Sequence, residues 1–371
     1  MSTVHWTETD TARSAHWHSE SSAPAPGRVV VADDTMKADL AYRLACEGTA
    51  LLWRGDFHNA RQLLQAMSRR VDRKPSKVGG SPAETFHLHR RARGHRARVL
   101  GKLLVVLEEG FGLDLRRAPD VRVACTEAYG PLSGSVVVSL TELLGVIGAH
   151  EWRVKGVEVP ALGARVHAHY GVFSPVRGEY VDLVAEAPLP RVRSAFDLGT
   201  GTGVLAAVLA HRGVERVVGT DISPRAVVCA RENVRRLGFG GRVDVVGPAL
   251  FPEGRADLVV CNPPWIPARP TSVVEQGVYD AGSGMLQGFL EGLVAHLEPG
   301  GEGWLVLSDL AEHLGLRTRD ELLTGFAAAG LRVVGRVDTR PRHSRVGDAA
   351  DPLHAARAAE VTSLWRLGAV G

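Results

Sequence analysis

The sequence predicts an α/β protein in which a doubly wound, mostly parallel seven-stranded sheet follows an N-terminal helical domain. Three observations predict it. From about residue 191 onward, short apolar runs alternate with helical patterns, which is typical of parallel strands joined by crossover helices. One of these runs leads into the glycine-rich turn Gly199-Thr200-Gly201-Thr202-Gly203. From Thr35 to about Gly148, apolar residues instead recur at three- and four-residue intervals around a charged face, which indicates helices.

The composition is that of an ordinary globular protein, and the length of 371 residues suits two domains. No run of eighteen apolar residues occurs, so we expect no membrane span and no membrane partner. The polar N-terminus also predicts no secretory signal. The four cysteines form no CxxC pair, which argues against a metal site and a disulfide framework and favours a cytoplasmic location. The oligomeric state is left open.

The N-terminal part divides into two predicted segments. Residues 1–27 are polar and end in Ser-Ser-Ala-Pro-Ala-Pro-Gly, so we predict a disordered tail. Residues 28–150 are predicted to form a helical substrate-recognition domain. Its apolar stripe contains Leu51, Leu52, Leu63, Leu64 and Met67. The helices that follow are predicted over about 83–108, 118–128 and 138–148.

Residues Arg61 to Arg117 carry an uneven charge, with fourteen Lys and Arg against five Asp and Glu. Such an excess fits a surface for nucleic acid or for an acidic protein. It also fits a solvated helical face. The scarcity of aromatic side chains that could stack on bases favours the solvated face.

After a hairpin or linker over 151–190, residues 191–371 are predicted to form the catalytic domain. We predict strands over 193–198, 215–220, 242–246, 256–261, 303–308, 331–338 and 361–367. Helices are predicted to begin near 203, 223, 285 and 318. This alternation is the basis of the doubly wound sheet.

The glycine-rich turn predicts a cofactor site. Glycines allow a backbone to approach a ligand closely, and the helix behind the turn supplies free N–H groups. The third glycine, Gly203, follows the second after one residue, whereas the dinucleotide fingerprint requires two. Asp197 precedes the turn and can hold a cationic amino group. Asp221 ends the next strand and can accept both hydroxyls of a ribose, and Ile222 can pack on an adenine face.

The tetrapeptide Asn262-Pro263-Pro264-Trp265 follows a buried strand, at the end where open α/β sheets bind ligands. The Asn262 side-chain oxygen and the Pro263 carbonyl can each accept one N–H of a planar NH2 group. Trp265 can stack on that group, or on a guanidinium cation. After a glycine turn and an acid, the tetrapeptide predicts methyl transfer to a planar nitrogen. The alternative is a strand-ending proline turn with a buried tryptophan.

These motifs resemble the class I S-adenosylmethionine-dependent methyltransferases, which are Rossmann-like, and among them the release-factor glutamine methyltransferase type (HemK/PrmC-like). Residues 171–179 add an upstream segment similar to that family's Pro-Arg-Pro-Glu-Thr-Glu region. Trp265 stands where these enzymes usually carry tyrosine, and the N-terminal domain is longer than theirs. The resemblance implies S-adenosylmethionine as the cofactor. The implied contacts are Asp197, Gly199, Gly201, Gly203, Asp221, Ile222 and Asn262, with Glu179 bordering the cofactor.

The predicted function is therefore N-methylation, and three acceptors stay open: a glutamine amide, an arginine guanidinium (free or in a protein) and an exocyclic amine of an RNA base. Glu275, Tyr279 and Asp280 follow the tetrapeptide and could hold a basic substrate. Arg342 and His343 lie in a long stretch before the last strand and could bind a carboxylate or phosphate. A non-catalytic scaffold that binds S-adenosylmethionine is the alternative from another class.

Overall fold

A computed structural model describes residues 2–73, 77–342 and 348–370. The chain forms two compact units. Unit 1 contains Met1–Val78 and His87–Glu151, and unit 2 contains Gly79–Phe86 and Trp152–Gly371. Within the described ranges, no helix is long and apolar enough to cross a bilayer.

Unit 1 is built on a six-stranded sheet in the order β1-β2-β6-β5-β4-β3. The strands are β1 (Thr3–Glu8), β2 (Thr11–Trp17), β3 (Val29–Ala32), β4 (Ala50–Trp53), β5 (Leu103–Leu107) and β6 (Val136–Ser139). The helices are α1 (Ala38–Cys46), α2 (Phe57–Val71), α3 (Pro82–Leu100), α4 (Arg122–Tyr129) and α5 (Leu140–Lys155), of which α3 and α5 also extend into unit 2. Strands β3, β4 and β5 run parallel.

Two predictions for this region are wrong. Residues 1–27 are not a disordered tail, because β1 and β2 pair as an antiparallel hairpin that buries Val4, Trp6 and Ala15. Residues 28–150 are not a purely helical domain, because four short strands lie among the helices. Leu51 and Leu52 belong to β4, which is buried along its whole length. Short apolar runs with no polar face have the same periodicity in a buried strand as in a buried helix, so the pattern could not separate them.

Unit 2 contains the predicted seven-stranded sheet, in the order β11-β10-β9-β12-β13-β15-β14. Strand β15 is antiparallel to both β13 and β14, and the other neighbouring strands of this sheet are parallel. The strands are β9 (Ser194–Leu198), β10 (Arg216–Thr220), β11 (Val243–Val246), β12 (Ala256–Cys261), β13 (Leu297–Ser308), β14 (Leu331–Thr339) and β15 (Thr362–Ala369). This confirms the predicted fold class. Strand β13 begins earlier than predicted.

Helices cover both faces of this sheet. They are α6 (Glu179–Glu186), α7 (Val204–His211), α8 (Pro224–Arg236), α9 (Gly284–His296), α10 (Leu310–His313), α11 (Arg319–Ala328) and α12 (His354–Ala359). One apolar cluster includes Val184 of α6 and Val208 of α7, and the other includes Phe289 of α9 and Phe326 of α11. Burial on both faces explains the continuous apolar runs of the central strands. The predicted hairpin is also present, as β7 (Val157–Val159) and β8 (Ala164–Val166).

Candidate functional site

The register of the central strands brings the predicted site residues together. Leu198, the last residue of β9, pairs with Thr220 of β10 and with Cys261 of β12. The next residue of each strand is Gly199, Asp221 or Asn262. Neighbouring strands lie about 4.8 Å apart, so these three residues leave the sheet side by side at its carboxyl edge. This is the edge where ligands bind in open α/β sheets.

Glycine is favoured at the three positions of the turn for different structural reasons. All have positive φ, at 66° for Gly199, 55° for Gly201 and 80° for Gly203, a region that glycine adopts without strain. A Cβ at Gly203 would lie 3.2 Å from Ala230 of α8, so this glycine permits close packing of two helices. A Cβ at Gly199 would collide with the Met285 methyl group. The flexible end of the Met285 side chain therefore occupies the space beside Gly199.

Asp197 is a buried carboxylate with no cationic partner within the described part of the chain. Its Oδ2 accepts hydrogen bonds from Thr200 Oγ1 at 2.6 Å and from the Ala206 amide at 3.0 Å. Burial raises the pKa of Asp197 to about 6, against the lowering effect of these two hydrogen bonds, and the charge of Asp221 raises it further. The carboxylate is thus held in place while its charge is uncompensated, which suits a cationic amino group. Sequence reasoning missed the supporting role of Thr200, although a hydroxyl inside an acid-led glycine turn is a visible signal.

Asp221 is oriented by backbone amides. Its Oδ2 accepts from the Gly201 amide at 3.0 Å and its Oδ1 from the Ser223 amide at 2.9 Å. Each carboxylate oxygen can accept a further bond, so both can serve ligand hydroxyls. Burial raises the pKa of Asp221. Ile222 beside it is 73% exposed, an available apolar surface next to the acid.

Asn262 is positioned by the last residue of its own tetrapeptide. The indole Nε1 of Trp265 donates to Asn262 Oδ1 at 2.9 Å. Trp265 is half-buried and packs against apolar clusters of the core, which anchors that hydrogen bond. The amide oxygen keeps a second lone pair for another donor. Sequence reasoning assigned Trp265 a stacking role and missed this one.

Glu179 begins α6 and is buried, and its Oε1 has no hydrogen-bond partner within the described ranges. A second buried carboxylate, Glu360, lies close enough for the two charges to interact, and burial together with Glu179 raises the pKa of Glu360. Glu360 Oε1 accepts from Ser308 Oγ at 2.7 Å and lies 3.6 Å from Arg177 Nη1. Segment 171–179 therefore contributes to a buried polar cluster at the end of β13. No motif pointed to Glu360.

The acids after the tetrapeptide have local partners. Glu275 Oε2 accepts from both the amide and the hydroxyl of Thr271, at 2.8 Å each. Asp280 Oδ2 accepts from the Met285 amide at 2.7 Å, at the start of α9. The Tyr279 amide donates to the Glu275 carbonyl at 2.8 Å. These bonds brace the loop after Trp265, and binding of a substrate by these residues stays a prediction.

The two basic residues predicted to bind a carboxylate or phosphate of the acceptor are Arg342 and His343. Arg342 is 79% exposed, and its Nη1 lies 4.0 Å from Asp182 Oδ2 of α6. His343 lies outside the described residues. Their predicted role with a carboxylate or phosphate also stays a prediction.

Comparisons with known proteins agree with this geometry. A model of the Methyltransferase small domain family matches residues 163–319. The chain is 34% identical over 173 residues to the release factor glutamine methyltransferase of Moorella thermoacetica, covering 39% of this chain and 61% of that protein. It is 32% identical over 191 residues to the ribosomal protein L11 methyltransferase of Chelativorans sp., covering 50% of this chain and 57% of that protein. A solved ribosomal protein L11 methylase from Lactobacillus delbrueckii subsp. bulgaricus aligns with a TM-score of 0.37 and 19% identity, over 54% of this chain and 82% of that one.

The family match covers the part of the chain that carries the glycine-rich turn, Asp221 and Asn262. The chain spans about three fifths of the length of the release factor relative and of the ribosomal protein relative. Together with the strand order, the domain match gives unit 2 the class I methyltransferase fold that the resemblance implied. The two relatives have different acceptors by name, so they do not select one.

Proposed function

We propose that this protein is an S-adenosylmethionine-dependent N-methyltransferase whose acceptor is a planar side-chain nitrogen of a protein, with a glutamine amide as the best candidate. The observation that carries the proposal is the position of Asn262 beside Gly199 and Asp221 at one sheet edge. Its oxygen, oriented by Trp265, keeps one lone pair for an acceptor N–H. The Pro263 carbonyl is the second acceptor. Two acceptors match the two N–H groups of a primary amide.

The cofactor fits the residues that surround the turn. Asp197 would face its amino group, Asp221 the ribose hydroxyls and Ile222 the adenine. Both acids lack an ion pair within the described part of the chain, and the φ of 66° at Gly199 favours glycine at the turn. When bound, S-adenosylmethionine supplies an electrophilic methyl group.

The chain's own residues orient the nucleophile. Hydrogen bonds to Asn262 and Pro263 hold the amide plane and increase electron density on its nitrogen. Such positioning can lower a barrier by several kcal/mol. As the nitrogen becomes cationic its N–H grows more acidic, so the proton leaves to water without a strong general base.

A second acceptor, an arginine guanidinium, is favoured by one observation. Glu360 and Glu179 are buried carboxylates with one oxygen each that has no hydrogen-bond partner among the described residues. Arg177 lies 3.6 Å from Glu360, and a cationic acceptor would add a partner for the two carboxylates. Against this acceptor, Glu275 and Asp280 are engaged in bracing the loop.

The test is transfer of tritiated methyl groups by the purified full chain to total protein, free amino acids and total RNA, each from the source organism. We expect label in protein, recovered as methylglutamine after enzymatic digestion, which preserves the amide. Label in methylarginine selects the guanidinium, and label in RNA selects a base amine. S-adenosylhomocysteine binding with no labelled pool indicates the non-catalytic scaffold.

Asn262→Ala should lower transfer at least about 100-fold, because the acceptor is no longer held. S-adenosylhomocysteine binding should change less than about threefold. Trp265→Phe is the second variant: it keeps an aromatic side chain but removes the indole N–H together with part of the ring volume, and it should lower transfer by about tenfold. If Asn262→Ala weakens transfer and S-adenosylhomocysteine binding equally, Asn262 is a cofactor contact only.

We also propose a cytoplasmic location. All four cysteines are free thiols, as in proteins of reducing compartments. Immunodetection in cell fractions tests this, and recovery from a non-cytoplasmic fraction would contradict it.

A further inference from the structure

The middle of α3 exposes nearly its whole surface. Residues 91–98 read Arg-Ala-Arg-Gly-His-Arg-Ala-Arg, and all but Gly94 are exposed. A helix of a globular protein normally buries an apolar stripe. This stretch has none, and only Val99 and Leu100 at its end are buried. The segment is therefore available to a partner from several sides.

Most of its positive charge is uncompensated. Arg91, Arg93 and Arg98 form no ion pair with the described residues. Arg96 alone is paired, through Nε to Asp72 Oδ1 at 3.1 Å. Three guanidinium groups per eight residues are thus free to bind anions.

Through Arg96, the end of α2 and the residues that follow it lie against α3 and contribute further arginines. Arg96 also donates through Nη2 to Ser68 Oγ, so it holds the end of α2 against α3. Arg69 and Arg73 follow Ser68 and Asp72, and both are exposed without an ion pair among the described residues. We call Arg69, Arg73, Arg91, Arg93 and Arg98 together the arginine surface.

The chemistry of these arginine side chains and the directions in which they project indicate the class of partner. At 100° per residue, Arg91 and Arg98 lie about 20° apart, and Arg93 lies about 160° from Arg91. Cations thus project from opposite sides of α3. Double-stranded RNA is recognised mainly by its shape and by contacts to backbone phosphates and 2′-hydroxyls, which require cations and hydrogen-bond donors on more than one side and no stacking side chains. A protein partner would instead need buried apolar or aromatic anchors, and the residues between the arginines are Ala, Gly and His.

We propose that the arginine surface is an RNA-binding site that contacts backbone phosphates. Every member is arginine, whose planar guanidinium makes bidentate hydrogen bonds to phosphate. This goes beyond the proposed methyl transfer and does not depend on it. The structure favours a binding surface over a merely solvated face because all five arginines are exposed and none forms an ion pair with a described residue.

The experiment measures binding of the full chain to a fluorescently labelled RNA hairpin by anisotropy, over a series of salt concentrations. We expect affinity to fall steeply with salt. The variant R91E/R93E/R98E should weaken binding at least about 30-fold and flatten the salt dependence. R69E/R73E, which leaves α3 unchanged, should weaken it by a smaller factor. The matched control is R235E/R236E/R332E, three exposed arginines of unit 2, which should leave binding unchanged.

Circular dichroism and S-adenosylhomocysteine binding establish that each variant is folded. Wild-type RNA affinity in both R91E/R93E/R98E and R69E/R73E overturns the proposal. Equal binding of a DNA duplex of the same sequence, or displacement of the RNA by polyglutamate at equal charge, overturns the assignment to RNA. Because the readout is binding, loss of methyl transfer in the assays above leaves this result unaffected.

Discussion

Both sheets place acids after parallel strands, but the two units treat those acids in opposite ways. In unit 1, Asp34 follows β3 and Asp56 follows β4. In unit 2, Asp197 lies in β9 and Asp221 follows β10. The acids of unit 1 are paired with arginines, whereas those of unit 2 have no cationic partner among the described residues.

Asp56 shows the first arrangement. Arg117 donates to it through Nε at 2.7 Å and Nη2 at 2.9 Å, and Arg116 donates through Nε at 3.0 Å. The carboxylate also caps α2 by accepting from the His58 amide. Hydrogen bonds from Arg117 hold the pKa of Asp56 well below its usual range. The negative charge of Asp56 is therefore compensated within the fold.

The two acids of unit 2 have the opposite environment. Asp197 and Asp221 accept bonds from neutral hydroxyl and amide groups, and burial raises the pKa of each. An acid after a strand is therefore not enough to identify a site. What distinguishes the site is that the protein orients the acid without neutralising it, next to glycines that admit a ligand.

Among the variants that test this comparison, Gly199→Ala should cause the largest loss of S-adenosylhomocysteine affinity. The added Cβ would displace the flexible end of the Met285 side chain at the edge where the cofactor is proposed to bind, and φ of 66° disfavours alanine. We expect S-adenosylhomocysteine affinity to fall at least about 100-fold, or about 3 kcal/mol, by calorimetry.

Gly330→Ala is the matched control. Its φ of 69° imposes the same backbone cost, but its Cβ would meet no atom within 4 Å. This variant should lose stability and keep its affinity. Equal affinity losses in the two variants would show that backbone strain, and not the space at the turn, explains the effect.

Replacing one acid of each unit by alanine should distinguish an acid that binds a ligand from an acid that stabilises the fold. Asp221→Ala should weaken S-adenosylhomocysteine binding about 10- to 100-fold, because charge-assisted hydrogen bonds to the ribose are lost. Asp56→Ala should leave that affinity unchanged and lower the melting temperature, because two arginines and a helix N-terminus lose their partner. Calorimetry and thermal unfolding measure the two quantities. Unchanged affinity in Asp221→Ala would remove that residue from the ribose.

The fold of unit 2 was predictable because its strands alternate with helices that have clear starts, and because glycine or proline follows the ends of central strands. Ser223, for example, caps α8 through its side chain, and Pro224 follows it. Unit 1 was not predictable to the same degree. Its strands β4 and β5 are four and five residues long and entirely buried, so their apolar runs carry no period that separates strand from helix.

The site was predictable where its residues are local in sequence. The glycine turn, Asp221 and Asn262 follow successive strand ends, and parallel pairing brings those ends together. Glu360 was not predictable, because its bond to Ser308 depends on the antiparallel pairing of Ser308 with Thr362, across more than fifty residues. The bond between Trp265 and Asn262 depends on how the core orients the indole ring.

The smallest predicted effect concerns Asp197 and pH. Its pKa of about 6 in the folded protein lies above the ordinary value of 3.8, so two properties should move in opposite directions. The ammonium group of S-adenosylhomocysteine needs the ionised carboxylate, so affinity should fall by up to about tenfold from pH 7 to pH 5. The unliganded protein should lose stability as the pH rises from about 4 through 6, because folding then requires a buried charge.

Asp197→Asn, which cannot ionise, should remove both pH dependences and is measured by calorimetry and thermal unfolding at each pH. Asp56 supplies the contrast, since its lowered pKa places its titration below this window. An affinity that stays constant from pH 5 to pH 7 in the wild type would mean that Asp197 does not face the amino group. Asp197 would then act only in the fold, by accepting hydrogen bonds from Thr200 and Ala206.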